Sequence, residues 1–484
     1  MYHIDSQEQA KTIILAIEKE FPVDTWKVNN IDVWPYIRIK LYFNLLSTSN
    51  AKNEQAQIKG LSVIRVPGKL NTLLQVLKSV FLLKVFFFKL KQKEILFFGA
   101  HFHRVLQDGK YFNRFYDSII EHHALQNNIY IIEYLKVYKN TFNTSAVVAL
   151  NKVLGYYKFS LKINPLKSFK KDIKLDKYDK FCFALQDYQL DTKLLGLSRD
   201  NILKWSLKMK SLERFYAKFY GKTKPSKIVF LGYYGYDDLY AALITANKMG
   251  IRTIDFQHGP QTNIHMAYSH WLKVPLQGFN TMPTEFWNWD INSKKNIDKW
   301  AGKIKAINVR VVGQPYIAYC KNKLKKYNLI DKVILYSLQT SPIELITPKV
   351  VRLIKNSNYT WVLRLHPRNN TPINDIAHFL QTNDIINKTV IESPVENSLP
   401  ETLAKSICHI TNYSGCAIES KMMGIPTLLI HKVGKEMFND YIDNNLVYYI
   451  NQSDERFIEK TETLIKEIEV QNFNSEVLEI FNPL

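Results

Sequence analysis

Four short stretches carry the residue types that do chemistry at the ends of strands. In "WVLRLHPRNN" (361–370), an apolar run brings Arg364 to His366, Pro367 and Arg368, and then breaks into polar turn residues. An imidazole and two guanidinium groups there make the lip of an anion site, with a forked donor set suited to phosphate. In "TNYSGCAIES" (411–420), Ser414 and Gly415 precede a helical pattern whose first N–H groups, with the serine hydroxyl, form a phosphate cradle. Glu419, just inside that pattern, is placed to accept from a ribose hydroxyl. In "DFQHGPQTNIHMAYSH" (255–270), Asp255, His258 and His265 crowd a strand exit, where His258 is a candidate for binding charge or moving a proton. In "GAHFHRVLQDGKYFNRF" (99–115), His101, His103, Arg104, Asp108 and Lys110 supply an acceptor-side set. Asp237 and Asp238 open a helical pattern as end caps or as a catalytic carboxylate.

No metal is expected. The His-x-His pair at 101 and 103 has no further ligand cluster near it, and no Asp-x-Asp occurs. The four cysteines are scattered, which fits a reducing compartment rather than a disulfide framework.

The elements that must position these residues read as two α/β units. From Glu94 on, "EILFFGA", "NNIYIIEYL", "SKIVFLGYYG" and "IRTIDF" are strands separated by helical or loop segments. The second half alternates more cleanly through "KVILYSL", "YTWVLRL", "ICHIT" and "IPTLLIH". Thr347-Pro348 marks one helix start, and Ser398 with Glu401 has capping-box spacing at another. The expectation is an α/β protein of two Rossmann-like domains facing a cleft, with ligands at the carboxyl ends of the strands. The divisions are a helical region at 1–94, an acceptor domain at 95–310, a nucleotide-sugar domain at 311–450, and a helix at 451–484 packing back across both.

Charge narrows the partners. The 484 residues carry 65 Lys and Arg against 44 Asp and Glu, a formal net charge of +21. That favours an anionic partner: phosphorylated substrate, acidic membrane or nucleic acid. The segment "KLNTLLQVLKSVFLLKVFFFKLKQK" (69–93) is apolar but interrupted by Lys78, Lys84 and Lys89. It reads as a basic amphipathic helix lying on an anionic membrane surface rather than crossing it. The N-terminus lacks the pattern of a signal peptide and reads instead as an amphipathic helix opening after Asp5 or Ser6, so the expected place is the cytoplasm, peripheral on the inner face of the cell membrane.

The elements "FQHGP", "VVGQP", "LRLHPR" and "TNYSGCAIESKMMGIP", in this order over roughly 95–450, resemble bacterial surface-polysaccharide glycosyltransferases of GT-B architecture. These are the capsule and lipopolysaccharide enzymes that use CMP-sialic acid or CMP-Kdo, and the related CDP-glycerol polymerases. The resemblance implies that His366, Pro367 and Ser414 hold the nucleotide phosphate and that His258 lies near the reacting centre. Position 415 is glycine where that family has a second serine. The implied activity is metal-independent transfer of a sugar from a nucleotide donor, CMP-linked by preference, to a glycan or lipid-linked acceptor. No cofactor beyond that co-substrate is expected. The alternatives are a sugar-nucleotide epimerase of the same double-Rossmann fold and a basic nucleic-acid-binding protein. The second is disfavoured because the polar loops lie away from the basic run at 162–181.

Overall fold

Residues 6–49, 69–161, 172–324, 333–442, 445–471 and 477–484 are described in a computed structural model of the chain. Much of the basic run at 162–181, up to residue 171, lies outside them.

Two parallel sheets organise the chain. The first-lobe sheet has seven strands, ordered 308–311, 285–288, 252–256, 227–230, 95–100, 129–134 and 147–149. The second-lobe sheet has six, ordered 389–392, 360–364, 333–337, 406–411, 427–429 and 447–449. Every pairing in both sheets is parallel. Counted in chain order within each lobe, both sheets run 3-2-1-4-5-6, with a seventh strand added in the first. This is the doubly wound order, and it puts a ligand crevice where the winding reverses, at the carboxyl ends of strands 1 and 4. Both sheets are the α/β double-Rossmann fold that the alternation predicts. A strand covered on both faces reads as an unbroken apolar run, as in Ile95–Ala100; Ile129–Tyr134 is equally buried and is apolar but for Glu133.

The lobes are closed against each other. One apolar cluster contains Phe115, Phe256 and Trp289 of the first lobe with Ile418, Met422 and Phe438 of the second. Around it, the Tyr441 hydroxyl donates to Asp290 Oδ2 at 2.9 Å, and Asn296 Nδ2 donates to Asp440 Oδ2 at 2.7 Å. Helix Phe457–Glu469 packs on the second lobe. The last residues return to the first, with Phe481 against Trp287 at 4.8 Å between ring centroids and His123 Nε2 2.9 Å from the Phe481 carbonyl.

The N-terminal helices brace the first lobe. Helix Gln7–Glu20 begins as predicted, with Ser6 Oγ accepting from Gln9 N–H at 3.1 Å. It sets the buried Glu18 against Arg38 of helix Trp34–Ser49, Nε to Oε1 2.7 Å. Arg38 Nη2 also donates to the carbonyls of Ser269 and His270, and Glu18 Oε2 accepts from Leu272 N–H. This pair therefore fixes the far end of the loop that carries His258.

Helix Lys69–Lys89 buries Val76, Ser79 and Phe87 and packs Phe86 and Phe87 on helix Arg199–Thr223. Its other face is open: Leu74, Leu77, Phe81 and Phe88 are exposed, the last two by 64% and 89%. These four recur at three-, four- and seven-residue steps on one stripe. Among the described residues no helix is long and apolar enough to cross a membrane.

One expectation is corrected: Ser398 begins helix Leu399–Ala404 but makes no capping hydrogen bond through its side chain. The stretch 155–225 contains the 25-residue helix Arg199–Thr223.

Replacing Arg38 with alanine removes the ion-pair partner of the buried Glu18. The expected cost is about 3–5 kcal/mol, read as a lower urea midpoint for the first unfolding transition. An unchanged midpoint would show that this brace carries no stability.

Candidate functional site

The site grows from strand ends. In the second lobe, strand Thr360–Arg364 delivers His366 into the gap between lobes. The Arg368 backbone N–H donates to His366 Nδ1 at 3.0 Å. That bond makes Nδ1 the acceptor, so the neutral ring carries its proton on Nε2, free to donate. Burial first, then the charges of Arg368 and Arg114, push His366 down to about 4. It is a neutral donor at physiological pH. The Arg368 side chain is exposed and has no hydrogen-bond or ion-pair partner among the described residues.

Strand Ser406–Thr411 ends in the Ser414–Gly415 turn. Ser414 Oγ accepts from Cys416 N–H at 3.3 Å, and Ser414 N–H donates to Thr411 Oγ1 at 3.1 Å. The structure gives a reason for glycine at 415. A Cβ there would lie 2.9 Å from Pro260 Cδ, on the histidine loop of the opposite lobe. This turn meets the first lobe directly.

In the first lobe, strand Arg252–Phe256 runs into Gln257-His258-Gly259-Pro260-Gln261. Gln257 Oε1 accepts from Trp289 N–H at 2.7 Å, and its Nε2 donates to Ser293 Oγ at 3.0 Å. Gln261 is held by Asn288 Nδ2 and donates to Asp255 Oδ2 at 3.3 Å. The two glutamines thus stitch both flanks of His258 to the neighbouring strand end. Gly232, at φ +82°, leaves the imidazole its room: a Cβ would come within 2.8 Å of His258 Cε1. Burial, then Arg368 and Arg114, push His258 down to about 4, so its ring is neutral and able to accept a proton.

His103 stands beside it, with ring centroids 6.1 Å apart. Its Nδ1 accepts from Ala100 N–H at 3.1 Å, and its buried Nε2 has no partner. His103 therefore presents an Nε2–H donor beside the neutral His258 ring, which keeps one nitrogen able to accept. His101 lines a cavity of about 180 Å³ between the lobes.

The remaining predicted residues lie elsewhere or are already engaged. Arg364 is not an anion ligand: it is buried in an ion pair with Glu392 and donates to the Asn397 carbonyl at 2.9 Å, anchoring the 392–397 loop. Arg104 is buried between Asp117 at 3.1 Å and Glu133 at 2.5 Å, with one nitrogen, Nη2, left over. Asp108 and Gly109 form the left-handed two-residue turn of the hairpin Arg104–Gln107/Lys110–Asn113, at φ +49° and +73°. Asp108 and Lys110 are both exposed, with Lys110 over the Phe142 ring. Asp237 accepts from Trp205 Nε1 and Lys208 Nζ, tying its helix to Arg199–Thr223. Burial raises the Asp238 carboxyl against the pull of Lys158 and Lys208. Asp255 is wholly buried and pushed well up by desolvation, so it positions the histidine loop and is no open base. Glu419 is buried and accepts from Gln314 Nε2 at 3.0 Å, which ties "VVGQP" to the second lobe. That link takes one carboxylate oxygen, Oε1. His265 packs among Tyr42, Tyr234 and Tyr268.

Sequence reading missed two residues. Arg114, at the end of the hairpin, acts electrostatically on His103, His258, His366 and Glu419 together. Gln339 follows strand Val333–Ser337 at the winding reversal and has a buried, unpartnered Nε2. The signal for Gln339 was its place after the first strand of a doubly wound unit. Arg114 had none in its local spacing. Among the described residues no group of three or more His, Cys, Asp or Glu side chains could hold a metal ion.

No protein-family model matches the sequence, and no curated protein matches it. Solved structures of similar chain path do exist. The UDP-GlcNAc 2-epimerase of Neisseria meningitidis, solved with UDP-GlcNAc bound, has 14% identity and a TM-score of 0.45, covering 79% of this chain and 95% of its own. The UDP-GlcNAc 2-epimerase of Methanocaldococcus jannaschii, solved with UDP-GlcNAc and UDP, has 12% identity and 0.44, covering 80% and 96%. MurG of Acinetobacter baumannii has 10% identity and 0.39, covering 78% and 94%. At such identities no activity transfers.

The two low imidazole values predict a pH signature. An unfolded histidine titrates near 6.5, so between about 6.5 and 4 the unfolded chain binds more protons than the folded one. Stability should fall as pH drops through that window, and a His258→Gln/His366→Gln double variant should show a shallower fall by denaturant melts. An equal slope in the variant would mean that neither ring is held neutral by the fold.

Proposed function

We propose that the chain acts on a nucleotide-activated sugar held between its lobes. The observation that carries this is the opposition of two neutral imidazoles with different roles. His366 presents Nε2–H beside an unpaired Arg368 on the second lobe, and His258 offers an acceptor nitrogen from the first. Donors fixed where a departing phosphate gains charge stabilise the transition state more than the ground state.

Two reactions fit such a site. In transfer, an acceptor oxygen bonds to the anomeric carbon as the bond to the nucleotide's phosphate breaks. The acceptor's proton passes to His258, and the electron pair leaves on the phosphate near His366 and Arg368. The resemblance of the loop motifs supports this reading, with a CMP-linked donor and a glycan or lipid-linked acceptor. In epimerisation, a ring carbon loses a proton and regains one. The adjacent donor His103 and acceptor His258 favour this second reading, and it is the one that the similar structures' names weigh toward, MurG excepted.

One assay separates them. The chain is melted with CMP, CDP and UDP and then incubated with the matching sugar nucleotides, with and without acceptor glycans, under mass and NMR detection. At least one nucleotide should raise the melting temperature, and His366→Ala should abolish the rise in a folded protein. Nucleotide release that needs an acceptor establishes transfer. An isomerised sugar nucleotide without acceptor establishes epimerisation. No shift with any nucleotide would sink the sugar-nucleotide reading.

The open stripe of helix Lys69–Lys89, edged by exposed Lys78 and Lys84, suits an anionic bilayer, its rings entering the headgroup layer. A Leu77→Glu/Phe81→Glu/Phe88→Glu variant should lose sedimentation with phosphatidylglycerol vesicles while keeping its fold. Undiminished sedimentation would place the membrane contact elsewhere or nowhere.

A further inference from the structure

The cavity of about 180 Å³ between the lobes is distinct in chemistry from the His366 strand end. Its first-lobe wall includes His101, Arg104, Arg114, Lys136 and Tyr138, and among the described residues no carboxylate lines it. Pro367 and Val395 of the second lobe close it. The Leu106 N–H donates to the Val395 carbonyl at 2.7 Å, which holds that lid to the hairpin.

Three buried nitrogens on this wall lack partners: Arg104 Nη2, Arg114 Nε and His101 Nδ1. Arg104 is only 2% exposed, and its other nitrogens are saturated by Asp117, Glu133 and the Tyr111 carbonyl. A guanidinium nitrogen left without a partner at such depth is costly unless something fills the place. Lys136 is exposed at the rim, its ammonium 4.9 Å from the centroid of the Tyr138 ring. Tyr138 in turn stacks on Tyr111 with centroids 3.7 Å apart and planes within 7°. The stacked pair holds the Lys136 ammonium at the rim, and the cations gathered on this wall suit a group that carries negative charge.

We propose that this cavity is a subsite for an acidic sugar, binding its carboxylate or phosphate through Arg104 Nη2, Arg114 and Lys136. The proposal rests on the sugar-nucleotide reading for the role of that sugar as second substrate. The subsite itself stands on the wall's own geometry. Under the transfer reading, the acceptor is then an acidic glycan end, and a neutral sugar is rejected because it leaves the buried donors unpaired.

The test is calorimetric titration of the full chain, first saturated with the nucleotide that stabilises it and then free of nucleotide. The probes are glucuronate, glucose 6-phosphate and glucose. One acid should bind and glucose should not, with the binding acid telling carboxylate from phosphate. Lys136→Gln and Arg114→Gln should each weaken that binding about tenfold, and Lys136→Gln should leave nucleotide affinity unchanged. Binding of neither acid, or binding equal in wild type and both variants, overturns the subsite even where nucleotide binds normally. Failure of every nucleotide to bind falls on the sugar-nucleotide reading alone, and the titrations of the nucleotide-free chain still decide the cavity.

Discussion

Everything in the cleft depends on two parallel sheets presenting their carboxyl ends to the same gap. A parallel strand must return through a crossover, so its functional loops all leave at one end. With both sheets wound in the same order, the loops at 101–103, 231–236 and 257–261 face those at 365–369 and 412–415. The fit is close enough that position 415 has no room for a side chain beside Pro260. The shared apolar cluster and the returning C-terminal residues hold this arrangement shut.

Closure also sets the electrostatics. The carboxylates nearest the gap are engaged: Glu392 on Arg364, Glu419 on Gln314, Asp117 and Glu133 on Arg104. Arg368 acts on the gap without a matching acid beside it, Arg114 acts on it as well as on Glu419, and the histidines answer by staying neutral. A site with fixed positive charge and pre-aimed N–H donors is organised for an anion before any arrives. The buried histidine at 409 shows the contrast. It too is pushed low by burial, but its two nitrogens are satisfied by Ser337 and Thr427 inside the sheet, and it serves the core.

Much of this was legible from the chain, and the failures share a cause. The second lobe's alternation, Ser6 as a helix cap and Thr347-Pro348 as a helix start are local signals, and the structure follows them. The strand Glu285–Asn288 went unread because its four residues, two of them aromatic, give no period to count. Helix Arg199–Thr223 does show its apolar stripe, at Ile202, Trp205, Met209, Leu212, Phe215 and Phe219, but lysines filling its other face hid it among basic neighbours. Arg364 and Arg114 are one residue type, and only pairing separates their roles. Arg364 meets Glu392 across a strand register 28 residues away, whereas Arg114 is left facing the gap. Local spacing does not encode such long-range partners, so the strand ends were found and the division of labour among them was not.

The central claim is that the nucleotide's phosphate sits on the second-lobe strand ends, facing His258. A crystal structure of the chain soaked with the nucleotide that binds most tightly tests it most directly. The account predicts a phosphate oxygen about 2.8–3.2 Å from His366 Nε2, with Arg368 turned toward it and the His258 ring across the gap. A phosphate bound away from residues 366 and 414, or His366 Nε2 left bonded to protein with the nucleotide present, would contradict it.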